Sequence, residues 1–278
     1  MRKVYFILFT IMLLCVACQW RLTPDDNTSK ECAHKIIMRY DQIESSYLTT
    51  GDFSALQRMS TVYPGQTRTL IENVLKLGAV NDPEINNKLL GYYQDSTLQQ
   101  VIVDVQKQYS NMDDIDKQLD YGFHHLKKHF PAIIIPKVYA QIGAFDQSVI
   151  IGDNMLGISL DKYLGSEYPL YIKFYNKEQR RMMTRDFIVP DCIGFYLLSL
   201  YPMPTDHTLS KSEMDMHMGK IQWVVDKILK KNNFSKLPTV LLVDNYMNAN
   251  SLSYERLMQD NKIDKLLSAQ LDKLDKEK

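Results

Sequence analysis

The sequence predicts an α+β protein, with a mainly helical body around a small antiparallel sheet. Between Lys30 and Lys128, apolar residues recur every three to four positions, as at Ile36, Tyr40 and Ile43, which is typical of amphipathic helices. After residue 130, β-branched and aromatic residues cluster in short runs that end at turn residues, as strands do. The connections between these runs are too short for crossover helices, which favours antiparallel pairing.

Helix boundaries in the first half follow from glycine and from capping side chains. Gly51 is expected to end the first helix, and Asp52 to cap the next. Pro83 is expected in the first turn of a later helix, where its missing N–H costs nothing. Two longer helices are predicted over 96–109 and 112–129.

In the second half, short strands precede further helices. Strands are expected at 133–139, 148–151 and 155–160, and helices at 180–200, 212–231 and 254–278. Pro190 is expected to interrupt the first of these helices. The last stretch alternates aspartate and lysine around spaced leucines, which predicts a solvent-exposed amphipathic helix.

The organisation along the chain predicts a leader, a linker and one domain. The segments are a signal peptide at 1–18, a flexible tether at 19–29 and a single α+β domain at 30–278. Within the domain we expect a helical part at 30–129, a sheet-containing part at 130–250 and a charged C-terminal helix at 251–278.

The first eighteen residues have the pattern of a lipoprotein signal. Arg2 and Lys3 precede an apolar run, 4–14, that is too short to span a bilayer. Small residues stand directly before Cys18, as in a lipobox, although Cys15 occupies the position where leucine is usual. This predicts acylation of the Cys18 thiol. An ordinary secretory signal and a CxxC redox motif are the alternatives.

Charge and cysteine content narrow the class of protein further. Loss of Arg2 and Lys3 with the leader leaves 31 basic and 33 acidic residues, so no broad attraction to nucleic acid is expected. Cys32 and Cys192 would then be the remaining cysteines. They could form one disulfide in an oxidising compartment or remain as two buried thiols.

Histidine and serine motifs give no complete catalytic set. His217 follows Glu213 by four residues, so the two could supply two metal ligands, but no third is evident; a side-chain hydrogen bond explains the pair more simply. His125 and His129 have zincin spacing, but Leu126 replaces the required glutamate. Serine-elbow and phosphate-loop motifs are absent from the sequence, so no cofactor is expected.

Five ordered segments in the middle of the chain carry a family resemblance. They are 136–139, 157–165, 168–171, 188–192 and 218–220. Together with the lipobox they resemble the gliding-motility lipoprotein GldB family of Bacteroidetes over 130–229, and more loosely through the N-terminal helices. Within this block Asp161, Tyr163 and Asp191 form a candidate functional surface.

The resemblance implies a lipid-anchored envelope protein, at the outer membrane, that supports motility and export machinery. The family is also similar to predicted zinc peptidases with a His-Glu-x-x-His helix, so a zincin-like fold is an expectation. The corresponding helix here, 213–226, lacks that motif, which implies loss of the metal site. Beyond Lys231 the chain does not follow the family pattern.

The leading hypothesis is therefore a non-enzymatic envelope lipoprotein that contacts the membrane through Cys18 and binds other envelope proteins. One alternative is a lipid-anchored metal-dependent hydrolase that uses Glu213, His217 and Asp161. The other is a periplasmic ligand-binding module with tyrosines around a groove, namely Tyr163, Tyr168, Tyr171 and Tyr175.

Overall fold

A computed structural model describes residues 35–143, 145–152, 154–205 and 208–276, which fall within the compact unit Lys35–Lys278. The predicted signal, the tether, Cys18 and Cys32 lie outside the described residues. Helices surround a four-stranded sheet, so the predicted α+β class is confirmed.

The first half is helical apart from one short strand. Its elements are β1 (Ile37–Met38), α1 (Tyr40–Thr50), α2 (Phe53–Thr61), α3 (Pro64–Arg68) with a π-helical continuation (Thr69–Val74), α4 (Ile85–Tyr93), α5 (Ser96–Gln108) and α6 (Asp113–His129). Gly51 ends α1 in the left-handed conformation, and the Asp52 carboxylate caps α2 by accepting from Ser54 N at 2.8 Å. Both expectations are confirmed. The helix expected at Ile36 begins only at Tyr40 because β1 precedes it.

The sheet contains β1, β2 (Lys137–Gln141), β3 (Val149–Gly152) and β4 (Met155–Ser159), in the order β1-β2-β4-β3. The antiparallel prediction is right only for β3 and β4, because β1 pairs with β2, and β2 with β4, in parallel. After β2 the chain passes over the neighbouring strand position and forms β3 at the edge of the sheet. It then returns as β4, which lies between β2 and β3. The first helices form the connection from β1 to β2.

Close packing fixes the pairing of the two central strands. Gly157 on β4 lies opposite Tyr139 on β2, whose ring occupies the space that a Cβ would need. Tyr139 also packs edge-on against Tyr40 of α1 at 6.3 Å between ring centroids. The strand predicted from residue 133 begins only at Lys137, because Ile134 and Ile135 are exposed.

The remaining helices follow the sheet. They are α7 (Pro169–Phe174), α8 (Lys177–Arg181), α9 (Ile188–Leu200), α10 (Lys211–Leu229), α11 (Pro238–Asn250), α12 (Tyr254–Gln259) and α13 (Asn261–Lys276), with short 3₁₀ turns at Leu160–Lys162 and Arg185–Phe187. Pro190 does not interrupt a helix, since it lies in the first turn of α9, where proline is tolerated. Within the described residues, none of the helices has the length and apolar character to cross a membrane.

The C-terminal stretch is less exposed than its charge pattern predicts. It forms two helices rather than one, and α13 packs along α10. Ile263, Leu267 and Leu271 are buried in this contact, whereas Leu266 and Leu274 face outward. The prediction of a solvent-exposed helix is therefore wrong for one face of α13, because the leucine stripe finds an apolar partner surface.

Candidate functional site

The three residues chosen from the sequence lie close to the end of β4 and the start of α9. Asp161 and Tyr163 belong to the turn that follows β4, and Asp191 lies in the first turn of α9. Asp161 and Tyr163 are fully buried, and Asp191 is half-buried. Asp161 and Tyr163 do not lie on the surface, because both side chains are buried and form hydrogen bonds inside the protein.

Asp161 organises the loop that follows β2. Its Oδ1 accepts from Gly143 N at 2.7 Å, and its Oδ2 accepts from Phe145 N at 2.9 Å. Burial raises the pKa of Asp161 to about 7, although the two N–H donors and nearby Lys162 oppose the shift. The Tyr171 hydroxyl donates to the Asp161 main-chain carbonyl. The carboxylate thus acts as an internal hydrogen-bond acceptor for backbone.

Phe145 is held in a conformation that a bulky residue rarely adopts. Its φ is 60°, in the left-handed region, where an aromatic side chain is a strained outlier. Besides the bond to Asp161, its carbonyl accepts from Lys162 Nζ at 2.9 Å and from the Tyr175 hydroxyl at 3.3 Å. These bonds to the main chain offset the strain and hold the Phe145 backbone in this conformation.

Tyr163 connects the same turn to two helices. Its hydroxyl donates to Asp191 Oδ2 at 2.8 Å, and its carbonyl accepts from the Tyr109 hydroxyl at 2.5 Å. Burial raises the pKa of Asp191 to about 7, and the Tyr163 hydrogen bond lowers it in part. The structure therefore brings Tyr163 and Asp191 into direct contact, as a link between the turn and α9.

The raised pKa of Asp191 predicts a pH-dependent effect of Asp191→Asn. The folded state keeps the Asp191 proton up to about pH 7, whereas the unfolded chain loses it near pH 4, so this group's contribution to stability falls as pH rises between them. We expect the amide variant and the wild type to be similar near pH 4. By pH 8 the full shift corresponds to about 4 kcal/mol, and solvent screening of the half-buried carboxylate reduces the expected gain in stability to about 2 kcal/mol.

Urea unfolding at pH 4 and at pH 8 measures this difference in stability. Asp161 is present in both the wild type and the variant, so its own pH-dependent effect cancels when the two proteins are compared at the same pH. An asparagine oxygen can still accept the Tyr163 hydroxyl, so the hydrogen bond is kept. An equal difference between the two proteins at both pH values would contradict the expectation.

A second buried carboxylate, Glu44, lies near Asp161 and was not recognised from the sequence. Its Oε2 accepts from Ile142 N at 2.9 Å, and burial, with the nearby charges of Asp41 and Asp161, raises its pKa well above the usual range. Its Oε1 and Gln141 Oε1 have no hydrogen-bond partner among the described residues. The sequence feature that could have revealed Glu44 is its position among the buried residues of α1.

Glu213 and His217 do not form the predicted pair. Glu213 closes the N-terminus of α10 in a capping box with Ser210. His217 is buried, with Nδ1 at 3.1 Å from Asp264 Oδ2 and Nε2 at 2.9 Å from the Tyr201 carbonyl. The predicted hydrogen bond is wrong because both ring nitrogens face other partners, which lie far away in sequence.

Asp264 also lies beside a buried lysine. Lys220 Nζ is 2.8 Å from Asp264 Oδ1, and the Lys220 side chain is fully buried. The cluster of His217, Lys220 and Asp264 joins α10 to α13, so these side chains hold the two helices together. Sequence reasoning missed Lys220 and Asp264, although each lies on a helix face with several buried apolar residues.

Within the described part of the chain, histidine, cysteine, aspartate and glutamate do not converge in a group of three that could hold a metal. His125 Nδ1 is 2.9 Å from the Tyr121 carbonyl, and His129 stacks on Tyr254 at 4.1 Å between ring centroids. Cys192 is a free, buried thiol. Its predicted alternative partner, Cys32, lies outside the described residues.

An open groove of about 530 Å³ lies on the outer side of Phe145. It is lined by α5, the loop after β2, and α7 with its C-terminal end, through Asp95, Thr97, Leu98, Phe145, Asp146, Leu170, Tyr171, Phe174 and Tyr175. We call it the aromatic groove. Of the four tyrosines expected around a groove, two line it. Tyr163 is buried against Asp191, and the Tyr168 hydroxyl donates to Asp104.

Comparison with known proteins gives one match. The family model described as gliding motility protein GldB matches residues 24–237. The match includes the whole resembling block and the N-terminal helices, and it ends just before α11, a few residues beyond Lys231. Neither the curated proteins nor the solved structures contain a match to this chain, so the zincin-like expectation stays a prediction.

Proposed function

Because the chain belongs to the gliding motility protein GldB family, we propose that it is a lipid-anchored lipoprotein and a non-enzymatic accessory component of an envelope motility or export assembly. The family match over residues 24–237 carries this proposal. The lipobox that ends at Cys18 supports the anchor, and the outer membrane is the proposed location.

The roles of the polar side chains support an architectural function. Both Asp161 oxygens accept backbone N–H groups, the Tyr163 hydroxyl donates to Asp191, and both His217 ring nitrogens face internal oxygens. A general acid or base must reach a substrate atom, directly or through one water. These groups instead hold loops and helices in place.

The anchor is tested by Cys18→Ser in the bacterium that carries this chain. Without the thiol there is no site for the lipid, so we expect the protein to leave the membrane fraction and to lose labelled palmitate. Cys15→Ser is the matched control, since it changes a cysteine of the same segment that is not the predicted lipidation site. Unchanged membrane association of the Cys18 variant would contradict the proposal.

The non-enzymatic role is tested by complementation with Asp191→Asn. The amide can accept the Tyr163 hydrogen bond but cannot exchange a proton as a carboxyl does. We expect full rescue of motility or export in a strain that lacks the gene. Loss of rescue at a normal protein level would favour a catalytic role for Asp191.

A separate measurement tests the alternative that the protein is a metal-dependent hydrolase. Metal analysis of the purified full-length protein is expected to find no stoichiometric zinc. Bound zinc that is lost in a Glu213→Ala and His217→Ala double variant, with circular dichroism unchanged, would overturn the non-enzymatic proposal and support the hydrolase.

A further inference from the structure

The loop between α6 and β2 presents two isoleucine side chains to solvent. Ile134 is 67% exposed and Ile135 is 47% exposed. Their backbone is nevertheless held, because the Tyr196 hydroxyl donates to the Ile134 carbonyl and Lys127 Nζ donates to the Ile133 carbonyl. Within the described residues, neither exposed isoleucine packs against the apolar core. A held loop therefore directs two apolar side chains outward, where a partner can reach them.

The polypeptide enters the domain beside this loop. Ile37 pairs in parallel with Val138, so the residues before β1 run next to the residues before β2. Lys35, the first described residue, therefore lies at the edge of the sheet where the parallel strands begin, next to the two exposed isoleucines. The chain that joins the proposed lipid on Cys18 to the domain, 19–34, ends at this edge.

Exposed lysines lie on both sides of the two isoleucines. Lys127 and Lys128 are at the end of α6, and Lys137 is at the start of β2. Lys35 pairs with Asp113 at 3.5 Å, so this pair adds no net charge. Apolar side chains next to lysines suit the interface of a bilayer, because the apolar groups enter the acyl layer while the ammonium groups stay among the headgroups.

Carboxylates are few around this loop. In the sequence, aspartate and glutamate do not occur between Asp120 and Asp146. Asp153 belongs to the turn whose Asn154 carbonyl accepts from Lys137 N at 2.8 Å, and it lies outside the described residues. Even with Asp153 counted at full charge, the three exposed lysines leave this edge positive, which favours a surface with anionic lipid headgroups.

We propose that this edge of the domain, formed by Ile134, Ile135, Lys127, Lys128 and Lys137, rests on the membrane that holds the lipid anchor, with the two isoleucines inserted among the lipids. The inference rests on the proposed anchor and names the surface that the domain turns towards the bilayer. The aromatic groove, which follows the other end of β2, then faces away from the membrane.

Photo-crosslinking to lipid tests the inference with the full-length protein. p-Benzoylphenylalanine replaces Ile134, and the protein is irradiated together with vesicles of phosphatidylethanolamine and phosphatidylglycerol. Mass spectrometry measures the yield of the protein–lipid adduct. We expect at least about fivefold more lipid adduct than for the same crosslinker at Phe53. Absence of a lipid adduct, equal yields at the two positions, or an adduct with a second copy of the chain would overturn the inference.

Phe53 is the matched control because it is exposed at the other end of the sheet. Its side chain is 81% exposed on α2, just after α1. Tyr40 packs against Tyr139, and Glu44 accepts from Ile142 N, so α1 runs in the direction of β2 and ends beyond the last residues of that strand. In cells, a protein adduct at position 134 in place of the lipid adduct would also overturn the inference.

Charge dependence is tested by adding Lys128→Gln and Lys137→Gln to the crosslinker variant. Lys127 is kept, because its hydrogen bond holds the loop. We expect the lipid adduct to fall at least about threefold. Lys265→Gln with Lys273→Gln, which removes two exposed lysines of α13, should leave the yield unchanged. Equal yields from the two double variants would overturn the inference.

Failure of the inference and failure of the anchor are distinguishable, because labelled palmitate on Cys18 reports the anchor independently of the crosslinker. If palmitate is present but the yields at positions 134 and 53 are equal, the proposed membrane-facing edge is wrong and the anchor stands. If palmitate is absent but the lipid adduct at position 134 forms, the anchor is wrong and the lipid-binding edge stands.

Discussion

Replacing Asp161 by alanine is expected to lower the free energy of unfolding by about 3–5 kcal/mol, because one buried and one partly buried backbone donor lose their acceptors at once. Those donors are the N–H groups of Gly143 and Phe145. Phe145 would also lose one of the bonds that compensate its left-handed conformation. Guanidinium unfolding of the full-length protein measures the change.

The matched control for this variant is Asp146→Ala, which removes an exposed carboxylate next to Phe145. A surface substitution of this kind is expected to change stability by less than about 0.5 kcal/mol. In hydrogen exchange, Asp161→Ala should also increase the exchange rate of the Phe145 amide far more than the control does. Equal stability of the two variants would show that Asp161 does not organise the loop.

Replacing Asp264 by alanine is expected to cost about 3–5 kcal/mol, because it leaves the buried charge of Lys220 uncompensated. Lys220 is fully buried, and besides Asp264 its Nζ has the Asp260 carbonyl at 3.4 Å. His217 loses the same carboxylate. Urea unfolding measures the loss, and hydrogen exchange should show faster opening of α13 than of α9.

The double variant Asp264→Ala with Lys220→Met separates the ion pair from packing. Methionine fills much of the lysine volume without charge, and replacing a whole buried pair by apolar groups is often neutral. We therefore expect the double variant to recover at least about 2 kcal/mol relative to Asp264→Ala. Additive losses from the two substitutions would contradict a role for the pair.

Local signals explain which elements could be predicted from sequence. Gly51 and Asp52 act on the helix next to them, so these boundaries were predictable. The strand β1 has two residues and lies beside a helix, so no periodicity reveals it. The insertion of β4 between β2 and β3 depends on tertiary packing. An argument that pairs strands in their order along the chain cannot predict it.

The positions of the three candidate residues along the chain did not indicate their surroundings in the fold. Asp161, Tyr163 and Asp191 lie at one end of the sheet, but their burial depends on contacts with loops and helices remote in sequence. The left-handed backbone of Phe145 is held by Asp161 and Tyr175, and no local sequence pattern indicates it. Asp264 was detectable in principle, as a carboxylate in the stripe of buried leucines on α13.

The two-residue strand β1 has a consequence for how the chain folds. Ile37 pairs with Val138, and Glu44 accepts a hydrogen bond from Ile142 N. The strand β1 and the helix α1 therefore contact residues that are synthesised about 100 positions later in the chain. Contacts of such long sequence separation slow folding. A chain synthesised from its N-terminus thus keeps its first helices without their sheet partner until β2 and β4 emerge.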